Sequence, residues 1–273
     1  MSALEVYGEF HDDIQVIFRS RLVTQVLLAL GSEKRSLSTL RDITGSSSQA
    51  LIPKIRQLEA LQYVEQVRDG YTLTPIGRLV EREIERLVTM MGVIERHKDF
   101  WAAHDIESIP RRFLNELHDL YDAGVVRDIE EDVFAVYRAF GTIIESASWI
   151  HGVSSIMSPV HAGAIREAAL QGKPVELVVS QELAGKLVEE PYRTMLESLR
   201  GHAGFGLYVA ASPVRLGMAV TDGFVSLGLY RRDKGTYDTA TDLVSTDAAA
   251  IAWGERVFQH YRATADRLHL PSM

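Results

Sequence analysis

Apolar residues in the first quarter of the chain recur at three- and four-residue intervals, which is the spacing of one face of an α-helix. Over residues 12–30 this repeat predicts a single amphipathic helix. Ser36 can cap a second helix over residues 37–43, because serine is a favoured N-cap residue. Thr44-Gly45-Ser46 has the composition of a tight turn, and a third helix is predicted over residues 47–61.

The pattern then changes to one that is typical of a β-hairpin. Residues 63–67 and 71–74 are rich in β-prone side chains, and they flank Arg68-Asp69-Gly70, which contains a favoured Asp-Gly turn pair. Thr74-Pro75 suits the start of a further helix, since threonine caps and proline is tolerated in the first turn. Helices followed by a hairpin in this order predict a winged helix-turn-helix.

The remaining sequence predicts a helical segment followed by an α/β domain. A long amphipathic helix is expected from Ile76 to about Phe100, and beyond residue 131 β-prone runs alternate with helical stretches. The predicted fold class is therefore multi-domain, α and α/β, with a mixed sheet in the second part. We expect three segments: a winged helix-turn-helix domain over residues 1–75, a helical connector and dimerisation region over 76–130, and an effector-sensing domain over 131–273.

Composition and charge limit the classes of function. The chain is 46% hydrophobic and 24% charged, as expected for a folded protein, and it has no cysteine. Disulfides and thiolate metal sites are therefore excluded, and scattered histidines lead us to expect no metal or cofactor. No apolar run is long enough to span a bilayer, so we expect a cytoplasmic protein without membrane contact. The net charge is −8, yet residues 1–82 contain ten basic and ten acidic residues, so the surplus lies beyond them.

The third predicted helix carries the candidate DNA-binding chemistry. Leu51, Ile55 and Leu58 share one face on a helical wheel, which leaves the opposite face for the major groove. Glutamine can recognise adenine, arginine can recognise guanine, and serines at a helix start can contact phosphate. An ordinary solvated helix face is the alternative interpretation. The predicted DNA-contacting residues, including the wing arginine, are Ser46, Ser47, Ser48, Gln49, Pro53, Lys54, Arg56, Gln57 and Arg68.

Two features of the predicted helices have more than one interpretation. Pro53 removes a helical hydrogen bond, so either the third helix is kinked there or its regular part starts near that residue. The apolar stripe of the long helix either packs inside its own chain or pairs with a second copy. We favour a homodimer, because symmetric dimers are well suited to reading two half-sites. The stripe consists of Ile76, Leu79, Val80, Ile84, Leu87, Met91 and Ile94.

Several ordered motifs resemble one known family. They are residues 47–55, residues 71–77, Asp99-Phe100-Trp101 with His104-Asp105 and Ile109-Pro110, and Ala252-Trp253-Gly254-Glu255. This sequence resembles the archaeal winged-helix regulators that contain the middle domain of the methanogenesis regulatory protein. The resemblance covers nearly the whole chain. It implies a cytoplasmic, dimeric regulator that binds double-stranded DNA and senses a small-molecule effector through its C-terminal domain.

The second half also resembles one half of a phospholipase D-type fold, whose catalytic motif is a His-x-Lys pair followed by Asp. When the motif is aligned on Asp222, the His and Lys positions are occupied by Arg215 and Gly217. Neither residue can perform the nucleophilic chemistry, so we expect a domain without enzymatic activity, in which Asp222 is a turn residue.

Candidate effector contacts follow the predicted strands of the second half. Ligands in open α/β sheets favour the carboxyl ends of strands, where Ser154, Ser155, Ser180 and Gln181 are expected. Ordinary loop polarity is the alternative explanation for these residues.

Two other functions remain open. One is a phospholipase D-type hydrolase with a helical adaptor, for which His151 or His161 would have to be essential. The other is an adaptor whose winged helix binds protein, which the neutral charge of residues 1–82 permits. A sequence-specific transcription regulator is the function that we favour.

Overall fold

A computed structural model describes residues 1–31 and 33–268. The chain divides into two compact units, Met1–Thr89 and Met90–Met273. The first contains helices and a two-stranded hairpin, and the second contains helices and a mixed sheet. The predicted fold class, multi-domain α and α/β with a mixed sheet, is confirmed.

The first unit begins with four helices: α1 (Ala3–Arg19), α2 (Arg21–Leu30), α3 (Leu37–Thr44) and α4 (Ser48–Ala60). The prediction of one helix over residues 12–30 was wrong, because Ser20 has extended backbone angles (φ −115°, ψ 106°) and separates α1 from α2. The amphipathic repeat continues across this break, so periodicity alone could not reveal it.

Local capping explains the turn between α3 and α4. The hydroxyl of Ser36 accepts a hydrogen bond from the Thr39 amide at the start of α3. Gly45 ends α3 in the left-handed conformation (φ 63°), which glycine adopts without steric cost. Ser47 then caps α4 by accepting a hydrogen bond of 3.3 Å from the amide of Ala50. The predicted helix-turn-helix thus has a specific capping residue at each of these boundaries.

The hairpin follows as β1 (Val64–Val67) and β2 (Gly70–Leu73), which pair in antiparallel register. Gly70 is required at the turn, since a Cβ there would overlap the carbonyl oxygen of Arg35. Helix α5 (Pro75–Arg96) follows the hairpin. It ends earlier than the predicted residue 100, because His97 leaves the helical conformation and a separate helix starts at Lys98.

One hydrophobic core holds the first unit together. Leu27, Leu30 and Leu40 from α2 and α3 are fully buried against apolar residues of α4 and the hairpin. Leu73 of β2 and Ile84 of α5 belong to the same cluster. Burying a leucine side chain contributes about 2 kcal/mol, so this cluster fixes the orientation of α4.

The second unit is built around a sheet that comprises eight strands within residues 90–268. Their order is β10-β6-β5-β4-β7-β8-β9-β3. The central strands β4, β5 and β6 are parallel, and the other pairs are antiparallel. The strands are β3 (Gly124–Arg127), β4 (Ile150–Ser154), β5 (Val175–Val179), β6 (Phe205–Val209), β7 (Leu216–Thr221), β8 (Val225–Leu229), β9 (Thr241–Ser245) and β10 (Asp266–Arg267).

Helices cover both faces of this sheet. The helices are α6 (Lys98–Ala103), α7 (Arg111–Leu114), α8 (Ala135–Ser146), α9 (Pro159–Leu170), α10 (Gln181–Leu187), α11 (Tyr192–Glu197) and α12 (Ala248–Arg262), with 3-10 turns at Ile106–Ser108 and Leu117–Leu120. Helices α10 and α11 are separate, and Pro191 lies at the start of α11. Sequence patterns also missed β3 and β9.

The two faces of the sheet contact different cores. On one face, α12 packs with α7 and the 3-10 turns against Val153, Val220 and Leu227. On the other face, α8, α9, α10 and α11 pack against Ile150 and Leu177. Alternating residues of each strand point to opposite faces, so a single strand contributes to both cores.

Among the residues described, no helix has the length and apolarity needed to cross a membrane. The same residues contain no group of three His, Asp or Glu side chains placed to hold a metal ion.

Candidate functional site

Helix α4 presents two chemically different faces. Leu51, Ile55 and Leu58 are buried in the core of the first unit, as the helical wheel predicted. The helix begins at Ser48 and continues through Pro53, so its regular part does not start at the proline. Its outward face is therefore a continuous helical surface, and the three buried side chains on the opposite face hold the helix in place.

The residues predicted to contact DNA lie on or next to this outward face. Ser47, Gln49, Pro53 and Arg56 are exposed, and Ser46, Ser48, Lys54 and Gln57 are half-buried. Helix α4 has thirteen residues, and its first turn offers backbone amides beside the Ser46–Ser48 hydroxyls. Such a helix start attracts anions, because its amides point outward and the helix dipole is positive there.

Two arginines with exposed side chains supply positive charge in this region. The guanidinium of Arg56 forms an ion pair of 2.8 Å with Glu59 one turn later on α4, and its side chain is 64% exposed. Arg68 lies in the hairpin turn, where its side chain is 95% exposed and its nearest carboxylate, that of Asp69, is 3.8 Å away. Exposed ion pairs contribute little to stability, so both arginines can exchange these partners for phosphate or base contacts.

The effector candidates line a different place, at the carboxyl ends of parallel strands β4, β5 and β6. Ser155, Ser180 and Gln181 border a crevice of about 500 Å³, together with Lys186, Arg215 and Tyr230. Ser154 does not border this crevice, and it lines a separate cavity on one face of the sheet. The four predicted residues are thus divided between two openings.

The hydroxyl groups of the three predicted serines already have partners. Ser154 donates to the carbonyl of Ile156, and Ser180 caps α10 by accepting from the Leu183 amide. Ser155 forms a hydrogen bond of 2.9 Å with the hydroxyl of Tyr230. Gln181 is exposed, and its side chain forms no such hydrogen bond with a described residue. A ligand in the crevice would therefore meet Gln181 and the backbone more readily than the serine hydroxyls.

Sequence reasoning did not single out Arg215 as a ligand contact, although it identified its position. Arg215 directly precedes β7, where its guanidinium lies over the ring of Tyr230 at 4.6 Å and 3.7 Å from a carboxylate oxygen of Asp105. Lys186 lies on the neighbouring rim. The available signal was the alignment of Arg215 with the histidine of the phospholipase D-type motif, because arginine carries a positive charge at that position.

The alternative hydrolase finds no supporting arrangement. His151 stacks on Phe258 of α12 at 4.2 Å and bonds Glu255 at 2.8 Å, whereas His161 lies on α9 beneath the opposite face of the sheet. The carboxylate of Asp222 accepts a hydrogen bond from the Ser148 amide, which lowers the pKa of Asp222. Asp222 therefore fixes a turn, and the two histidines do not form a pair.

Comparison with family models accounts for most of the chain. Residues 11–92 match the N-terminal domain of methanogenesis regulatory protein FilR1, and residues 133–264 match its middle domain. The two matches follow the order of that protein's domains and together cover more than three quarters of the chain, so both units of the chain are similar to FilR1. A curated relative, methanogenesis regulatory protein FilR1 of Methanothrix harundinacea, is 26% identical over 251 residues. The alignment covers 91% of this chain but only 56% of the relative, so the chain spans about half the length of that protein.

Solved structures give weaker matches. The archaeal chromatin protein TrmBL2, whose structure is described as showing a novel mode of DNA binding, is 16% identical and aligns over 94% of this chain and 99% of its own, with a TM-score of 0.42. Nuc of Salmonella typhimurium, a phospholipase D family member, is 15% identical over 54% of this chain and 98% of its own, also with a TM-score of 0.42. TM-scores this low do not establish a common fold.

The motifs that suggested the FilR1 family are largely structural in the second unit. Trp253 is fully buried and donates a hydrogen bond of 3.2 Å to the carbonyl of Phe113. Gly254 lets α12 approach the sheet, because a Cβ there would lie 2.7 Å from a methyl of Val225. His104 is buried, with its Nε2 3.1 Å from a carboxylate oxygen of Asp238. These contacts join residues within and before the matched middle domain and stabilise the second unit.

Proposed function

We propose that this protein is a sequence-specific, DNA-binding transcription regulator whose second unit responds to a small-molecule effector. The observation that carries the proposal is the geometry of α4. Three buried leucine and isoleucine anchors fix the helix, while Gln49, Pro53 and Arg56 lie on its exposed side. A helix held in this way can enter the major groove, where glutamine and arginine discriminate bases.

In this proposal each predicted residue has a separate task. Gln49, Pro53, Arg56 and Gln57 face the base edges, and Ser46, Ser47, Ser48 and Lys54 contact the phosphate backbone. Arg68 reaches a phosphate or an adjacent groove from the tip of the wing. Backbone contacts supply affinity and register, whereas base contacts supply specificity. The role requires access to chromosomal DNA, and therefore a cytoplasmic location.

The active form in this proposal is a homodimer that pairs through α5. Ile76, Leu79, Leu87, Met91 and Ile94 of the apolar stripe are all more than one third exposed, while Ile84 is buried in the first unit. Exposed apolar residues repeated along one helix favour association with a second helix. Two copies of α4 related by two-fold symmetry would then read two half-sites.

The effector part of the proposal places a polar ligand in the crevice at the strand ends, with Ser155, Ser180 and Gln181 as contacts and Ser154 behind them. Lys186 and Arg215 on its rim would favour a ligand with an anionic group. If the protein has two conformations that differ in DNA affinity, an effector that binds one of them more tightly changes the affinity for DNA. DNA must then change the affinity for the effector by the same factor. Similarity to the domains of a regulatory protein supports a role without catalysis, as do Arg215 and Gly217 at the positions of the His-x-Lys pair.

A selection from fragmented genomic DNA of the source organism tests the proposal. We expect the purified full chain to enrich a small set of sequences with two half-sites separated by about 10 base pairs or a multiple of that spacing. A parallel selection without protein provides the control. Failure to enrich any sequence above this control would remove the regulator proposal and leave the protein-binding adaptor as the better account.

A further inference from the structure

The sheet of the second unit carries a patch of small residues on the face beneath α8 and α9. Gly152 of β4 pairs with Ala219 of β7, Ala219 pairs with Ser226 of β8, and Gly217 pairs with Gly228. Five adjacent sheet positions therefore lack a large side chain. Space is left between the sheet and the helices, and it forms a cavity of about 80 Å³.

The walls of this cavity are mainly apolar, but its polar groups converge. Val136, Phe140, Ile165, Leu177 and Val179 supply apolar wall. Tyr137, His161, Tyr237 and Asp242 also line it, and no lysine or arginine does so among the described residues. Apolar pockets with a few placed polar groups are the usual form of small-molecule sites.

Asp242 places a carboxylate at one end of the cavity. Its Oδ2 accepts a hydrogen bond of 2.8 Å from Ser226, and its Oδ1 lies 2.6 Å from the position that a Cβ of Gly228 would occupy. The Tyr237 hydroxyl lies against the same position. Substituting either glycine, Gly217 or Gly228, would therefore displace the Tyr237 hydroxyl.

The charges around Asp242 make the site acidic. Burial is the largest cause that raises the pKa of Asp242, to about 6, and Asp238 and Asp128 raise it further. Ser226 and His104 act in the opposite direction. Tyr237 is itself buried, and its pKa lies well above 10 because of burial and the nearby Asp242. A buried carboxylate without a cationic partner is costly, so a ligand that brings positive charge would be stabilised.

Aromatic rings surround the rest of the polar end. His161 stacks on Tyr137 at 4.7 Å between ring centroids and lies 4.2 Å from Phe140. Burial lowers the pKa of His161 to about 4, so the imidazole is neutral near pH 7. Its Nε2 is buried without a hydrogen-bond partner. When Nδ1 carries the proton, Nε2 of His161 is a hydrogen-bond acceptor, and Oδ1 of Asp242 is also an acceptor. The cavity therefore suits a ligand that donates hydrogen bonds.

We propose that this cavity is a binding site for a small primary alkylammonium ion. The ammonium group donates hydrogen bonds to Asp242 and Tyr237, and the alkyl group contacts the apolar wall. Tyrosine and phenylalanine rings also attract a desolvated cation. An engineered cavity of about 150 Å³ accommodates benzene, so a cavity of about half that volume fits a chain of about four carbons. The site lies on a face of the sheet, apart from the crevice at the strand ends.

Titration of the full chain with isobutylammonium chloride tests this proposal. Met157 packs on the cavity side of the sheet, whereas the side chains of Met90 and Met218 lie in the core on the opposite face. With methyl-labelled methionine, we expect a saturable NMR shift at Met157, and none at Met90, at neutral pH. Calorimetry should give an affinity at least tenfold higher than for isobutanol, which has the same shape but no charge.

Three variants separate the proposed contacts from general effects. Asp242→Asn should weaken isobutylammonium binding at least tenfold, and Gly217→Ala should weaken it by occupying the site. Asp266→Asn, at an exposed position of β10, is the matched control and should bind like the wild type. Near pH 5 the wild type should bind more weakly than at pH 7.5, because protonated Asp242 cannot pair with the cation.

The proposal is overturned if the wild type shows no saturable shift at Met157. Equal affinity for isobutanol, or wild-type affinity in Asp242→Asn with a normal melting temperature, also overturns it. Because none of these measurements uses DNA, their failure leaves the proposed regulator function standing. Likewise, failure of the DNA selection leaves the proposed ammonium site standing.

Discussion

The hydroxyl of Ser226 donates a 2.8 Å hydrogen bond to Asp242 across neighbouring strands β8 and β9. This bond lowers the pKa of Asp242, but burial outweighs it and raises the pKa to about 6. The carboxyl group is therefore more basic in the folded chain than in the unfolded chain. Its contribution to stability is fully present below about pH 4 and is lost as the pH rises through about 6.

Replacement of this carboxyl by an amide removes the titration. Compared with the wild type, Asp242→Asn should gain about 2 kcal/mol in free energy of unfolding between pH 4 and pH 7.5. Urea denaturation of both proteins at several pH values measures this difference, with Asp266→Asn as the control. A stability difference that is independent of pH would contradict the assignment of a raised pKa to Asp242.

Arg68 at the wing tip should act through charge rather than base recognition. Arg68→Ala is expected to weaken binding to the selected site and to an unrelated duplex by a similar factor, of about three to ten. The slope of log affinity against log salt should become shallower by about one, since one phosphate contact is lost. A loss confined to the selected site would show instead that Arg68 reads bases.

The exposed stripe on α5 should control oligomeric state. Leu79→Glu combined with Leu87→Glu places two charges on this stripe and should convert the dimer to a monomer at micromolar concentration. Light scattering coupled to size exclusion measures the mass. Arg82→Glu, an exposed position elsewhere on the same helix, should leave the mass unchanged. A wild-type protein that is monomeric at high concentration would contradict the dimer proposal.

Two helical glycines should respond to alanine in opposite directions. A Cβ at Gly77 of α5 would overlap the carbonyl oxygen of Tyr63, so Gly77→Ala should lower the free energy of unfolding by about 2 kcal/mol or more. Gly141 of α8 has no heavy atom within 4 Å of its Cβ position, and Gly141→Ala should raise stability by up to about 1 kcal/mol. Thermal melts of both variants test this contrast, which would fail if both changed stability alike.

Sequence patterns predicted the first unit well because its elements depend on local signals. Ser36, Gly45 and Ser47 fix the helix boundaries, and the buried positions of α4 follow a regular repeat. The break at Ser20 was missed because the hydrophobic face resumes in register on its other side. A boundary without a glycine, a proline or a capping bond has no strong local signal.

The second unit was harder to predict because its site depends on residues that are distant in sequence. Asp242 and Tyr237 meet the glycines of β7 and β8 only through the sheet register, and β9 was not predicted at all. Ser154 was named as an effector contact from its position after a strand, and it does border the cavity. Its hydroxyl is nevertheless engaged with Ile156, which a linear pattern could not reveal.

Sequence-specific recognition by α4 is the central claim, and fluorescence anisotropy with the protein's own promoter fragment tests it most directly. Wild type, Gln49→Ala/Arg56→Ala and the exposed control Gln171→Ala/Arg232→Ala would be compared on the promoter and a scrambled duplex at two salt concentrations. We predict that wild type and control prefer the promoter by at least about 100-fold, and that the α4 variant loses most of this preference while binding the scrambled duplex almost normally. An α4 variant that retains the full preference for the promoter would contradict the account.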